Sequence, residues 1–330
     1  MLQNRMLAWG VSEGRIASEQ KPIWLLDELI EQGDQWIING APKSGKSLLA
    51  TQLALAIASG GQFLNWRNRN PARVLYMDFE LKDRLFWKRF LTMTAHNNVT
   101  DQTIERNFFR CGDFQTTDVL DPVEAKKMIS IVNEIQPDLI IWDVLARMHT
   151  AAENDNGLMG QVMRSIRKIS RSAAHIVVHH ARKSSPGAEN YNAGAAGIRG
   201  ASSIHGEADG VMSLALRDGQ GARFSLRFSS RAVETPDEIL LNRTEHLIFV
   251  SANDSDNNTL LTSLKKALSG HTSVSAAELV NSFCAEFSIQ ERQAKNYIRK
   301  CVANAWVRRE RRPDKTYEYI ATDLLTDVSA

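Results

Sequence analysis

Residues 40–47 read Gly40-Ala41-Pro42-Lys43-Ser44-Gly45-Lys46-Ser47, a G-x-x-x-x-G-K-[ST] octapeptide set between an apolar run and a helical pattern. Upstream, Gln35-Trp36-Ile37-Ile38-Asn39 reads as a short buried strand. Downstream, Leu48, Leu49, Gln52, Leu53, Leu55, Ala56 and Ile57 recur with helical spacing. The chain must therefore turn sharply from strand into helix. Gly40 and Gly45 let the backbone wrap closely, which aims successive N–H groups and the positive end of the helix at one anion. All eight residues are candidates for cradling phosphate. Lys46 is spaced to reach the β- and γ-phosphates and the Ser47 hydroxyl to hold Mg²⁺, so ATP and Mg²⁺ are the expected cofactors.

The rest of the pattern supplies the fold class. From Gln35 to about Ala252, short apolar runs alternate with helical stretches, which indicates βα units wound into a largely parallel sheet, an α/β fold. Expected strands are 35–39, 73–78, 106–110, 138–143 and 174–180; expected helices are 46–59, 81–95, 122–134 and 157–171. Asp121-Pro122 supplies an N-cap and an N1 proline for the third helix. Beyond residue 209, Val211 to Leu216, Arg223 to Phe228 and His246 to Val250 read as hairpin-linked strands at the far edge of the sheet.

Four segments follow: an N-terminal arm with a short helix over 1–34, a nucleotide-binding domain over 35–252, a polar linker over 253–258 and a C-terminal domain over 259–330. A length of 330 residues suits about two domains. Net charge is only +2, so attraction to nucleic acid has to come from clustered basic residues. Cys111, Cys284 and Cys301 are far apart and form no C-x-x-C pair, which points to buried free thiols in a reduced compartment and to no zinc site. The first residues lack the apolar core of a signal peptide, and no stretch nears the ~18 apolar residues of a membrane span. A cytoplasmic protein without a membrane partner is the expectation.

Three strand ends carry the chemistry. Leu139-Ile140-Ile141-Trp142-Asp143 is an apolar strand ending in an acid, which places the Asp143 carboxylate beside the Mg²⁺ held by Ser47. Val74 to Glu80 ends in two carboxylates two positions apart, on one side of an extended strand. Glu80 is suited to polarise the water that attacks the γ-phosphate, while Asp78 supports it or caps the next helix. His179 and His180 end a third strand on opposite faces, so only one of them can look at the nucleotide and register loss of the γ-phosphate.

Taken in order, Gly40 to Ser47, Asp78-Phe79-Glu80, Leu139 to Asp143, Glu153-Asn154-Asp155, His179 to Lys183 and Arg199-Gly200-Ala201-Ser202-Ser203 resemble the RepA-type branch of the RecA superfamily of ATPases, over roughly residues 20–250. The resemblance implies a RecA-like core in a hexameric replicative DNA helicase of a plasmid or phage, with other replication proteins as partners. It gives Lys46 and Ser47 to phosphate and Mg²⁺, Glu80 to water activation, Asp143 to the metal side, and the γ-phosphate sensor to one of the paired histidines. One departure stands out. Where the family places an arginine finger, this chain has Glu207-Ala208-Asp209-Gly210, leaving Arg199, Lys183 or Arg217 for the part.

Two regions read as DNA contacts. The loop from Arg182 to Ser203, with Arg182, Lys183, Arg199 and Tyr191 among small residues, suits the lining of a ring channel that tracks single-stranded DNA. In the C-terminal segment, helices over 259–268 and 275–287 and a third begun by Ser288 resemble a winged helix-turn-helix. The third exposes Arg292, Lys295, Asn296, Arg299 and Lys300 and turns Tyr297, Ile298, Cys301 and Val302 inward. A hairpin around Pro313-Asp314 carries Arg308, Arg309, Arg311 and Arg312, so this domain is expected to bind duplex DNA or, failing that, a protein. A DNA-stimulated ATPase and helicase is the first reading, a non-translocating ATP-dependent DNA-binding regulator the second and a small-molecule kinase the third.

Overall fold

The computed structural model describes residues 18–96, 101–112, 117–180, 202–217, 223–231, 234–269, 271, 273–287, 289–303, 306–312 and 316–322. It divides into two compact units, Met1–Val250 and Ser251–Ala330.

The first unit opens with β1 (Trp24–Leu26) and β2 (Ile30–Glu31), which pair antiparallel. Residues 1–17, over which most of the N-terminal arm with its expected short helix runs, lie outside the described residues. Leu25, Leu26, Leu29 and Ile30 are buried along the β1–β2 hairpin, whose tight turn holds Glu28 at φ 57°. Then follow β3 (Gln35–Gly40), α1 (Lys46–Ser59), the small hairpin β4 (Gln62–Phe63) and β5 (Trp66–Arg67), β6 (Val74–Asp78), α2 (Asp83–His96), α3 (Asp101–Asn107) and β7 (Phe108–Cys111). Next come α4 (Pro122–Ile135), β8 (Leu139–Asp143), a 3₁₀ turn at Leu145–Arg147, α5 (Asn156–Ser170), β9 (Ala174–His180), α6 (Ser202–Glu207) and the strands β10 (Gly210–Leu216), β11 (Phe224–Ser230), β12 (Ile239–Arg243) and β13 (Phe249–Ser251).

A nine-stranded sheet with the order β13-β12-β11-β10-β3-β9-β8-β6-β7 organises the unit. The run from β10 to β7 is parallel throughout, while β11 and β12 add antiparallel. Its strands alternate between two cores as period two requires. Trp36, Ile38, Val74, Tyr76, Leu139, Ile141, Ile176 and Val178 pack with α1 and α2 on one face. Ile37, Leu75, Met77, Ile140, Trp142 and Val177 pack with α4 and α5 on the other. Each fully buried Leu, Ile or Met contributes about 1.5–3 kcal/mol. On α5, Met159, Val162, Met163, Ile166 and Ile169 sit at helical spacing, and Asp155 caps the helix by accepting from the Gly157 and Leu158 amides at 2.8 and 3.0 Å. Asp121 caps α4 in the same way ahead of Pro122.

The second unit holds α7 (Ala252–Leu268), β14 (Val274–Ser275), α8 (Ala276–Phe287), α9 (Glu291–Ala303), β15 (Val307–Arg311) and β16 (Tyr317–Ala321). A three-stranded antiparallel sheet, β14-β16-β15, and the three helices enclose a core that includes Leu260, Leu264, Leu279, Phe283, Ile298, Cys301, Val307 and Tyr319. Residues 253–258, read as a linker from their polarity, form the first turns of α7. The leucines at 260, 261, 264 and 268 anchor that helix, and the polar residues extend it toward its N-terminus, where Asn, Asp and Ser are favoured. Val302, expected inside, is 37% exposed, and Ala294 takes its place in the core. Of the three free thiols only Cys301 is buried; Cys111 and Cys284 are partly exposed, because each lies at the rim of its core. Among the described residues no helix is long and apolar enough to cross a membrane.

Candidate functional site

The octapeptide is the connection between β3 and α1. Ala41, Pro42 and Lys43 are exposed, whereas Ser44 and the Lys46 side chain are enclosed. Gly45 has φ 100°, a left-handed value that favours glycine, and it is the N-cap of α1. A Cβ there would stand 2.9 Å from Phe249 Cζ, and one on Gly40 would overlap the Leu214 carbonyl oxygen. Both glycines are thus required by β10 and β13 pressing on the loop from outside as well as by the turn itself. Gln52 secures that contact, donating to Phe249 O at 2.9 Å and accepting from Phe249 N at 2.8 Å.

Above the loop three charged side chains converge from three elements. Lys46 Nζ donates to Ala41 O at 2.8 Å and its ammonium is pushed down to about 8, chiefly by burial, against the pull of Asp143 and Glu80. Asp143, at the end of β8, accepts from Ser47 Oγ at 3.1 Å through one oxygen and from Tyr76 OH at 2.7 Å through the other. Burial pushes its carboxyl up to about 6; the Tyr76 and Ser47 hydroxyls oppose the rise, and the Asp78 and Glu80 charges add to it. Thr51 holds the base of the arrangement, donating to Ser47 O at 2.7 Å. A hydroxyl and a buried carboxylate with a desolvated negative charge form an all-oxygen donor pair that fits a hard divalent cation such as Mg²⁺.

Glu80 differs in backbone from the expectation. The strand stops at Asp78, and Glu80 lies beyond it in a turn, exposed, so strand alternation does not govern where it points. Its charge still reaches both Lys46 and Asp143. Asp78 is fully buried and caps the turn, its Oδ1 accepting from the Glu80 and Leu81 amides at 3.0 and 2.9 Å. The histidines divide by face. His180 stands in register with Gly40 on the face that carries α1, half-buried. His179, opposite Asn39, is fully buried on the other face.

Of the expected DNA contacts, Arg182, Lys183 and Arg199 lie outside the described residues, as do Ser288 and Pro313-Asp314. Arg292, Lys295, Arg299 and Lys300 line the outside of α9, and Arg308, Arg309 and Arg311 that of β15. Arg312 pairs with Glu318 at 2.7 Å, Arg308 with Glu310 at 3.1 Å and Lys295 with Glu291 at 3.0 Å, while Arg309 stacks over Tyr317 at 4.3 Å. The segment Glu207 to Asp209 is engaged internally: Arg164 holds Glu207, and Arg167 meets Asp209 at 2.7 Å. Arg217, an alternative finger, is half-buried beyond the end of β10.

Sequence reasoning missed Tyr76, Arg110 and Arg243. Tyr76 shares a strand face with Asp78, a signal that period two could have supplied. Arg110 is a lone charge within the otherwise apolar strand Phe108 to Cys111. Arg243 Nη1 lies 3.6 Å from where a Gly45 Cβ would sit, a proximity with no local signature.

The AAA_25 family, described as an AAA domain, matches residues 5–186, more than half of the chain. The chain belongs to this family. Its AAA domain thus spans the octapeptide, Glu80, Asp143 and both histidines. Among solved structures it resembles the ATPase domain of the protein G40P at 14% identity, covering 73% of this chain and 96% of that one with a TM-score of 0.54. The RadB recombinase follows at 17% identity, 67% and 91% coverage and TM-score 0.45. A KaiC-like protein from Pyrococcus horikoshii OT3 gives 11%, 69%, 93% and 0.48. The likeness to the G40P domain is one of fold, an α/β architecture around a largely parallel sheet. No curated protein sequence matches.

Proposed function

We propose that this P-loop ATPase is a ring-forming, DNA-stimulated motor, a helicase in the replication of a plasmid, phage or other mobile element. The observation that carries the hydrolytic half is the convergence of Lys46, Glu80 and Asp143 over the N-terminus of α1, with Asp143 bonded to Ser47. In this reading the octapeptide amides and Lys46 hold the β- and γ-phosphates. Ser47 and Asp143 hold Mg²⁺, which when bound offsets phosphate charge. Glu80 orients a water in line with the γ-phosphorus and takes its proton as the O–P bond to the leaving diphosphate breaks. His180, on the nucleotide face, senses the γ-phosphate and is followed in the chain by the basic stretch at 182–199.

The DNA half rests on the second unit, whose three helices, three-stranded sheet and exposed cations on α9 and β15 suit a winged helix-turn-helix with a basic wing. A non-translocating, ATP-dependent DNA-binding regulator is the second reading. It is favoured by the internal engagement of Glu207 and Asp209 where an arginine finger would stand. Forked-duplex unwinding measured beside native mass decides between them: a hexamer that unwinds supports the motor, and a monomer whose ATPase ignores single-stranded DNA sinks it. Lys46→Ala is expected to abolish nucleotide binding or turnover. Glu80→Gln is expected to bind ATP and lose ~10²-fold or more in turnover, the usual worth of a general base.

A further inference from the structure

Glu80 owes its position to its backbone alone. Among the described residues its carboxylate accepts no hydrogen bond, and it stands exposed in the turn between β6 and α2. That turn is tied at every residue. The Phe79 amide donates to Asp143 O at 2.7 Å, and the Glu80 and Leu81 amides donate to Asp78 Oδ1.

The other Asp78 oxygen is held by Arg110, reaching across from the neighbouring strand β7. Its Nη2 and Nε donate to Asp78 Oδ2 at 2.9 and 3.2 Å, and Nη2 also donates to Leu81 O at 2.9 Å. Nη1 bonds Asp83 at the start of α2. The guanidinium stacks over Phe86 at 4.5 Å and its side chain is 3% exposed. A Cβ on Gly112 would overlap the guanidinium, so the chain leaves room for it. One planar fork thus braces both ends of the turn, which a lysine's point charge could not do.

We propose that Arg110 is a positioning residue for hydrolysis: through Asp78 and Leu81 it fixes the turn that carries Glu80 beside Lys46 and Asp143. This rests on Glu80 being the group that activates water. Buried ion pairs add little net stability relative to apolar replacements, so the consequence of this one is geometric. A displacement near 1 Å at a reacting group can cost ~10²-fold in rate.

The test is a double-mutant cycle on the full chain, with ATPase turnover and binding of a non-hydrolysable ATP analogue as readouts. Arg110→Lys and Arg110→Gln are expected to lower kcat on the order of ten- to a hundredfold with analogue affinity held within about twofold, Lys less severely than Gln. In a Glu80→Gln background the same substitutions are expected to cost less than about twofold more, because there is no longer a base to misplace. Equal losses in both backgrounds, or unchanged kcat in the singles, overturn the proposal. Should both variants fail to fold, Asp83→Asn, which frees one arm of the fork at an exposed carboxylate, is read the same way, and unchanged kcat there also overturns it. If Glu80→Gln itself turns over normally, the reading of the site falls first, which separates that failure from an additive cycle.

Discussion

Lys46 and Asp143 face each other as a cation and an anion that burial has weakened, the ammonium to about 8 and the carboxyl to about 6. Binding a phosphate chain needs the first protonated, and binding a divalent cation needs the second ionised. Affinity for Mg-ATP should therefore fall as the pH drops below about 6 and again as it rises above about 8, checked by titrating a fluorescent ATP analogue across pH 5–9. Tyr76→Phe removes the hydroxyl that steadies the Asp143 anion. The acid limb should then move to higher pH, and an unmoved limb would take Tyr76 out of the site. A different residue sets acid stability. His175 is buried against Gln35 Oε1 at 2.8 Å and burial lowers it to about 4. Folding thus favours the neutral ring, and the stability this gives is present above the unfolded value near 6.5 and is lost as pH falls toward 4. Up to about 3 kcal/mol is at stake, from roughly 1.4 kcal/mol per pKa unit. Urea midpoints should drop between pH 7 and 4.5, and His175→Gln should flatten that drop.

At the scale of elements, α1 is buried on nearly every side, by the sheet at Leu49 and Leu53 and through Gln52 at Phe249. Gly45→Ala should cost about 1–3 kcal/mol for a residue held at positive φ. It should also cost at least tenfold in ATP affinity, because the new methyl meets Phe249; a nucleotide titration and a thermal melt check both. Local pattern made α1 and the parallel strands legible, since Trp36 to Ile38 and Leu139 to Trp142 are short continuous apolar runs of the kind a buried strand shows. It did not reveal β12, one strand in from the edge, where Leu240 faces solvent and Asn242-Arg243 blur the alternation. Nor did it reveal α3, a short polar helix over Asp101–Asn107. In the site, the pairing of Ser47 with Asp143 was legible because one opens a helix after a glycine-rich loop and the other ends an apolar strand. The brace at Arg110 was not, because 32 residues separate it from Asp78 and only the β6–β7 pairing joins them.

Across the whole molecule, chemistry and basic surface belong to different units. The first has two cores around the sheet, and the second has its own, from Leu260 to Tyr319. Each therefore has the apolar interior that independent folding requires. Ending the chain after Ser251 should leave basal ATP turnover within about twofold, since Lys46, Glu80 and Asp143 and their partners all precede that point. Duplex DNA affinity should fall, and the salt dependence identifies the cause. Each phosphate neutralised contributes about 0.9 to the slope of log affinity against log salt. Replacing exposed Arg309 and Arg311 with Gln in the full chain should thus lower that slope by about 2, uniformly across DNA sequences. Arg312→Gln should change it less, because that guanidinium is already engaged by Glu318 at 2.7 Å. A slope that ignores all three substitutions, with DNA affinity intact after truncation, would assign the second unit to a protein partner and leave DNA to the first.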